Sequence, residues 1–419
     1  MVILDVLDIK KGGLIKVYTR NKKLAVIRIG DQILFYREGN WFTEGYYQLN
    51  EIADLFGDRL FAFTAFGRIV ESTQNINSFY QMPHWVVPKF AVMGPQVSGK
   101  GLKSYLFALP KLVWRAKKAI ETHDVSWIMM PSLTGLVASL VAPKNKIKVV
   151  QLVGEWSMLL RLRYPKFVPV IVPLTEWLVK LSLKRANLAV FVSNYLAKKY
   201  GDGLKCKVIV ANESRLQPWM IHQVDRSDVH KSLRVLFVGR LVPEKGVQFL
   251  LEAIALVLKE MPCELWIVGS GPYESFLKNK AKEIGIISCI RWFGWVPWGE
   301  ELFKIMREAD VLVMPSLPDI EGVGMVHFEA MSQSLPVIAT QVDGIPEIVK
   351  DGISGILVNP SDSIAVAENI IKIARDSTLR QRLVSEGLKI ARENTLEKQT
   401  GRVVSAICEL VEKSLKDRN

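Results

Sequence analysis

Two glutamates, two glycines and two cations carry the chemistry in this chain. Glu321 and Glu329 have seven residues between them, and Gly322 and Gly324 follow the first closely. The apolar run 309–316 before them reads as a buried parallel strand, and the sequence from about Met325 reads as a helix. The glycines then make a tight turn between strand and helix. Such a turn presents free backbone N–H groups and a helix N-terminus, which together form an anion site. Glu321 is expected at the mouth of that site, and Glu329 further along the helix, on a face that reaches back. Taken singly, each glutamate also fits a plain structural role, one at a helix start and one on a solvated face. The pair with its glycines points to binding.

Arg240 and Lys245 lie five residues apart on another expected strand-to-helix loop. A guanidinium offers a planar fork and an ammonium a compact charge, so two such cations can bracket a diphosphate. Two solvated loop cations are the plainer alternative. In one sheet with the glutamate turn, they make a pocket with cations on one side and a helix N-terminus on the other. A third loop, Gly94 to Gly101, matches G-x-x-x-x-G-K after an expected strand. Gly101 stands where a P-loop needs Ser or Thr for Mg²⁺, so nucleotide hydrolysis there is a minor alternative.

The elements that must hold these loops alternate regularly. In the second half, strands are expected at 233–239, 264–268, 290–294, 309–316, 336–339 and 355–358, with helices between them. That alternation predicts a parallel sheet covered on both faces. In the first half, Leu14 to Thr19 and Leu24 to Ile29 read as short strands, and Asp31 to Tyr36 as the first buried strand of a similar sheet. Thr43 is then expected to cap a helix ending near Phe56. Trp41, Phe42, Tyr46 and Tyr47 concentrate aromatic surface there, for stacking on a sugar or lipid or as ordinary core. Further strands are expected at 61–65, 125–130, 148–153, 188–192 and 208–211. Residues 213–232 are polar with turn signals and read as a linker.

The motifs form an ordered set. They are Gly239-Arg240-Leu241-Val242-Pro243-Glu244-Lys245-Gly246, Gly269-Ser270-Gly271-Pro272, Glu321-Gly322-Val323-Gly324, Phe328-Glu329-Ala330-Met331 and Gly344-Ile345-Pro346-Glu347. Residues 233–360 thereby resemble the retaining GT-B glycosyltransferases of glycosyltransferase family 4, while residues 1–230 resemble them only in outline. The resemblance implies an α/β chain of two Rossmann-like doubly wound domains facing a cleft. It places an acceptor-side domain at 1–215, a nucleotide-sugar domain at 216–397, and a last helix, about 398–419, crossing back to the first domain. Carried over by position, Arg240 and Lys245 would bind the donor diphosphate and Glu321 would lie against the donor sugar. Glu329 would hold the ribose. Gly322, Gly324, Met325 and Val326 would supply N–H groups, and Gly294 and Trp295 would flank the base. Gly239, Gly39 and Glu155 complete the expected substrate contacts. The implied reaction is transfer of a sugar from a nucleotide-diphosphate sugar to a hydroxyl acceptor, lipid-linked or a growing glycan, without a metal or other cofactor. The chain has no Asp-x-Asp pair, which agrees with that implication. It departs from the family pattern at Asp343-Gly344, at Ser332-Gln333-Ser334, at Asn212-Glu213 and near Gly154-Glu155. A non-catalytic module that binds sugar nucleotide or membrane is the remaining alternative, and the intact cation and glutamate set argues against it.

Composition sets the outer bounds. A chain of 419 residues exceeds one ordinary core, and 49% hydrophobic residues exclude a disordered chain. Four scattered cysteines and five histidines lack the spacing of a disulfide framework or zinc site. No signal peptide or transmembrane run is read, so a cytoplasmic location, peripheral on the inner face of the membrane, is expected. The net charge is +13, and residues 100–206, with 18 Lys and Arg against 5 Asp and Glu, account for all of it. Aromatic and apolar residues interleave with those cations, a mixture suited to an anionic membrane surface better than to nucleic acid. A solvated basic face without a partner is the bland alternative.

Overall fold

The computed structural model describes residues 24–37, 40–44, 52, 55–56, 60–69, 79–81, 90–93, 102–155, 168–318 and 324–416. Leu14–Thr19, Gly39, Tyr46 and Tyr47, Gly94 to Gly101, Glu321 and Gly322, for which the sequence raises expectations, lie outside these residues.

The first sheet is built from β1 (Leu24–Arg37), β2 (Asn40–Glu44), β3 (Leu60–Ile69), β4 (Phe79–Gln81), β5 (Phe90–Met93), β6 (Val125–Met130), β7 (Ile147–Leu152), β8 (Leu188–Phe191) and β9 (Lys207–Val210). Its parallel part runs β5-β3-β1-β6-β7-β8-β9. Helices α1 (Leu102–Thr122), α2 (Leu133–Val141), α3 (Val168–Lys184) and α4 (Asn194–Tyr200) fall between its strands.

The second sheet comprises β10 (Leu233–Val238), β11 (Cys263–Val268), β12 (Ile290–Gly294), β13 (Val311–Met314), β14 (Val337–Thr340) and β15 (Ile356–Val358). All neighbours in it are parallel, in the order β12-β11-β10-β13-β14-β15. The chain thus reverses direction of travel between β10 and β13. In an open parallel sheet that reversal leaves a crevice at the carboxyl ends, where ligands bind. Its helices are α5 (Val247–Val257), α6 (Glu274–Glu283), α7 (Glu300–Glu308), α8 (Met325–Ser332), α9 (Ile345–Ile348), α10 (Ser363–Arg375) and α11 (Ser377–Glu393).

The final helix, α12 (Leu396–Lys416), returns to the first sheet. Alternation along the strands explains why it fits. Ile27, Ile29, Ile128, Met130, Val150 and Phe191 face one core with α1, α2 and α3. Val26, Val125, Trp127, Val149 and Val190 point the other way and pack on Val403, Val404 and Ile407 of α12. Among the described residues no helix is long and apolar enough to cross a membrane.

Two expectations for the first half are corrected. Leu24–Ile29 and Asp31–Tyr36 are one strand, β1, whose early residues form the central parallel position. Thr43 caps no helix; it lies in β2 and pairs with Leu34 in an antiparallel ladder. Trp41, Phe42 and Thr43 have high strand propensity, and cross-strand pairing with Phe35 and Tyr36 overrides the local capping signal.

Two of the departures carry an unusual backbone. Asp343 and Ser334 both adopt positive φ, at 48° and 55°. Such a backbone costs a non-glycine residue about 1–2 kcal/mol. At Ser334 the linker offsets it: the hydroxyl donates to the His222 carbonyl at 2.9 Å and accepts from Val224 N–H at 3.0 Å. Arg226 finishes this seam. Its guanidinium donates to the carbonyls of Ser334, Ala309, Met306 and Gln333, and burial lowers its pKa to about 10.

The crevice rim is set by glycines where main chain meets main chain. A Cβ on Gly269, at φ +133°, would stand 1.9 Å from the Gly239 carbonyl oxygen. One on Gly271 would stand 2.2 Å from the Leu241 oxygen. Gly269→Ala is therefore expected to destabilise the protein by more than ~1 kcal/mol in urea unfolding. An unchanged midpoint would contradict this packing.

Candidate functional site

Loops after β10 and β13 flank the crevice, and their backbones are stitched together. Gly246 has φ +70°, and a Cβ there would lie 1.8 Å from the Pro315 carbonyl oxygen. Leu317 N–H donates to the Glu244 carbonyl at 2.8 Å. The loop after β10 is braced on its other side by β11. Leu241 N–H donates to the Ser270 carbonyl at 3.0 Å, and Tyr273 N–H to the Leu241 carbonyl at 3.0 Å. Gly269 N–H reaches the Gly294 carbonyl at 2.7 Å, which ties in the loop after β12. Gly239, Gly246, Gly269 and Gly294 thus belong to one rigid rim.

Arg240 and Lys245 ride on that rim. Arg240 is exposed and Lys245 is half-buried, on a short 3₁₀ turn, Pro243–Lys245, that leads into α5. Across the crevice, Gly324 adopts φ +64° and serves as N-cap of α8 without a side-chain cap bond. The first helical residues, Met325 and Val326, are half-buried at that end. Two cations and a helix N-terminus therefore border the same switch point, an arrangement suited to an anion.

Glu329 is carried inward by α8 and is 8% exposed. The Trp298 indole N–H donates to its Oε1 at 2.8 Å. Burial pushes the Glu329 carboxyl above its ordinary value, and Arg215 and the indole bond oppose that shift without cancelling it. Trp298 comes from the loop after β12, whose Trp295 is 47% exposed. His327, fully buried, places Nδ1 2.6 Å from the Gly324 carbonyl and braces the first turn of α8.

Sequence reasoning singled out most of these loops but missed Trp298 and Arg215. The signal for Trp298 was an indole in a Gly-Trp-Val-Pro-Trp loop, whose N–H needs an acceptor once buried. Nothing in sequence spacing links Arg215 to a glutamate so far along the chain. Glu155 stands elsewhere, on the loop after β7 at the carboxyl end of the first sheet. Its Oε2 lies 2.6 Å from Lys199 Nζ of α4, so it is an ion-pair member.

Residues 232–376 match the sequence model of the family described as Glycosyl transferases group 1. An uncharacterized glycosyltransferase of Methanocaldococcus jannaschii is 33% identical over 155 residues, 37% of this chain and 39% of that protein. The chain thus spans about two fifths of that relative's length. The GDP-mannose-dependent alpha-(1-6)-phosphatidylinositol monomannoside mannosyltransferase of Mycolicibacterium smegmatis is 34% identical over 294 residues, 64% of this chain and 72% of that protein. Among solved structures, sucrose-phosphate synthase from Thermosynechococcus elongatus superimposes with a TM-score of 0.72, over 94% of this chain and 100% of that one, at 16% identity. That likeness is one of fold.

The raised Glu329 pKa has a definite sign. Between the unfolded value of about 4.3 and the higher folded value, the native state binds more protons, so stability falls as pH rises. Glu329→Gln removes this term and keeps an acceptor for Trp298. The variant is expected to gain on the wild type as pH is raised through that window, in urea unfolding at stepped pH. A pH-independent difference would contradict the burial argument.

Proposed function

The chain belongs to the group 1 glycosyltransferases of the GT-B type, and from that premise we propose that it transfers a sugar from a nucleotide-diphosphate sugar to a hydroxyl acceptor. The observation that carries the proposal is the crevice between β10 and β13, bordered by Arg240, Lys245 and the N-terminus of α8, with Glu329 buried beside it.

The roles follow from charge. Breaking the glycosidic bond leaves negative charge on the diphosphate and positive charge on the sugar. Arg240, Lys245 and the α8 N–H groups would stabilise the first, from loops braced by backbone hydrogen bonds. Two fixed cations supply the countercharge, so the reaction is proposed to run without a metal. Glu329 accepts hydrogen bonds from the ribose hydroxyls, and Trp298 keeps its carboxylate oriented. Gly294 and Trp295, on the loop after β12, are assigned to flank the base through the family pattern. Glu321 and Gly322 are assigned to the donor sugar and its phosphates through the family pattern alone. Transfer is proposed to retain configuration: the acceptor hydroxyl attacks on the leaving-group side, its oxygen joins the sugar carbon, and its proton leaves with the diphosphate.

We propose a lipid-linked acceptor, reached at a membrane surface. The mycobacterial relative is named for a phosphatidylinositol monomannoside, which supports that class of acceptor. The surface of the first domain supports it too. Val170, Leu174 and Trp177 are each more than half exposed and recur at helical spacing along α3. Trp114 of α1, also more than half exposed, lies under Lys118 Nζ at 5.4 Å from the ring centroid. Lys117 is exposed on α1, and Lys180 and Lys184 are exposed on α3. Apolar side chains ringed by cations suit an anionic bilayer.

Two outcomes are expected. Lys245→Ala should lower transfer of labelled sugar from UDP-glucose or GDP-mannose into a lipid extract on the order of 10²–10³-fold, with an unchanged unfolding midpoint. Full activity in that variant would contradict the donor assignment. In sedimentation with phosphatidylglycerol vesicles at low salt, Leu174→Ser with Trp177→Ser should weaken binding about tenfold or more. Equal sedimentation of both proteins would contradict the membrane face.

A further inference from the structure

A carboxylate of the second domain holds the end of a helix in the first. Glu347 lies on α9, after β14. Its Oε2 accepts the Asn194 backbone N–H at 2.7 Å and the Asn194 side-chain amide at 2.9 Å. Its Oε1 accepts the Tyr195 backbone N–H at 2.6 Å. The two amides are orphan donors of the first turn of α4. The hydroxyl of the helix's own cap, Ser193, accepts the Leu196 N–H, at 3.2 Å. The first turn of α4 is thus completed by a residue of the second domain, 153 positions along the chain. An anion is favoured there by the helix dipole, and each bond is charge-assisted.

What α4 carries gives the contact its meaning. Tyr195 is on its first turn and Lys199 one turn later, over the same face. Lys199 Nζ is 2.6 Å from Glu155 Oε2, 3.9 Å from Glu176 Oε1 and 6.0 Å from the Tyr195 ring centroid. Burial alone would lower the Lys199 pKa, but the Glu155 bond and the neighbouring acidic groups more than offset it and raise the value. Burial and then Glu155 raise the Tyr195 hydroxyl, so it stays protonated and able to donate. The cluster stands at the carboxyl ends of β7 and β8, on the cleft side of the first sheet. Asp343, which leads into α9, contributes to the field at Tyr195, so the second domain reaches this cluster both through charge and through hydrogen bonds.

We propose that Glu347 is a positioning residue. It clasps the two domains together and, through α4, sets Tyr195 and the Glu155–Lys199 pair against the part of the cleft that receives the acceptor hydroxyl. The donor rim is built from β10, β11, β12 and β13 without Glu347. The clasp therefore bears on acceptor engagement and domain closure, and leaves the nucleotide site alone. This inference rests on the proposed function for its catalytic consequence, whereas the clasp itself rests on geometry.

The test compares wild type with Glu347→Ala and Glu347→Asp in three measurements. Hydrogen exchange of the peptide covering 194–200 should rise about tenfold in Glu347→Ala, because two amides lose their acceptor. Small-angle scattering should show a wider distribution of interdomain distances. In the lipid-extract transfer assay, half-saturation by nucleotide sugar should stay within about twofold while half-saturation by the extract rises about tenfold, the ratio that 1.4 kcal/mol would give. Glu347→Asp, which keeps the charge on a shorter arm, should recover part of each effect. Unchanged exchange at 194–200 together with unchanged scattering would overturn the clasp. Donor and acceptor half-saturation rising together would overturn the positioning role. If the wild type transfers no sugar at all, the functional reading fails, and exchange and scattering still decide the clasp.

Discussion

The site depends on one steric constraint: loops from neighbouring strands approach with main chain against main chain. At Gly246, Gly269 and Gly271 a side chain would overlap the carbonyl oxygen of Pro315, Gly239 or Leu241. The absence of three Cβ atoms lets the loops after β10, β11 and β13 exchange backbone hydrogen bonds. The rim is then rigid for a reason that does not involve Arg240 or Lys245. Those two side chains project from a frame held by other atoms, which is what an electrostatic site needs if its dipoles are to be fixed before reaction.

Burial is distributed unevenly over the two sides of the crevice. The cations are exposed or half-buried, where charge is cheap and a phosphate can displace water. Glu329 sits deep, where ionisation is costly, with an indole N–H and the field of Arg215 as partial compensation. Ligand hydroxyls would complete that compensation. A buried carboxylate whose ionisation is disfavoured, with charge and donor partners placed against it, is a candidate for a functional role.

The second domain was legible in the sequence because its signals agree at every level. Each strand is a short, largely apolar run, the loops after β10 and β11 hold glycine where a carbonyl passes, and helices follow at regular spacing. The first half was less legible. Long-range pairing of Trp41, Phe42 and Thr43 with β1 overrode a local capping signal, which sequence distance hides. The positive φ at Asp343 and Ser334 could be suspected only as missing glycines, and the partners that stabilise Ser334 lie more than a hundred residues away. The partners of Trp298 and Glu347 are hidden for the same reason: both residues stand in legible loops, but each meets a different element of the chain, and no periodicity encodes such a meeting.

In the proposed donor site, the crevice between β10 and β13 would hold a nucleoside diphosphate by protein cations alone. Thermal unfolding against UDP, GDP and ADP, in EDTA, for wild type and for Arg240→Ala tests it most directly. The midpoint should rise with one base, undiminished by EDTA, and the rise should be lost in the variant. No rise with any diphosphate, or one equal in wild type and variant, would contradict it.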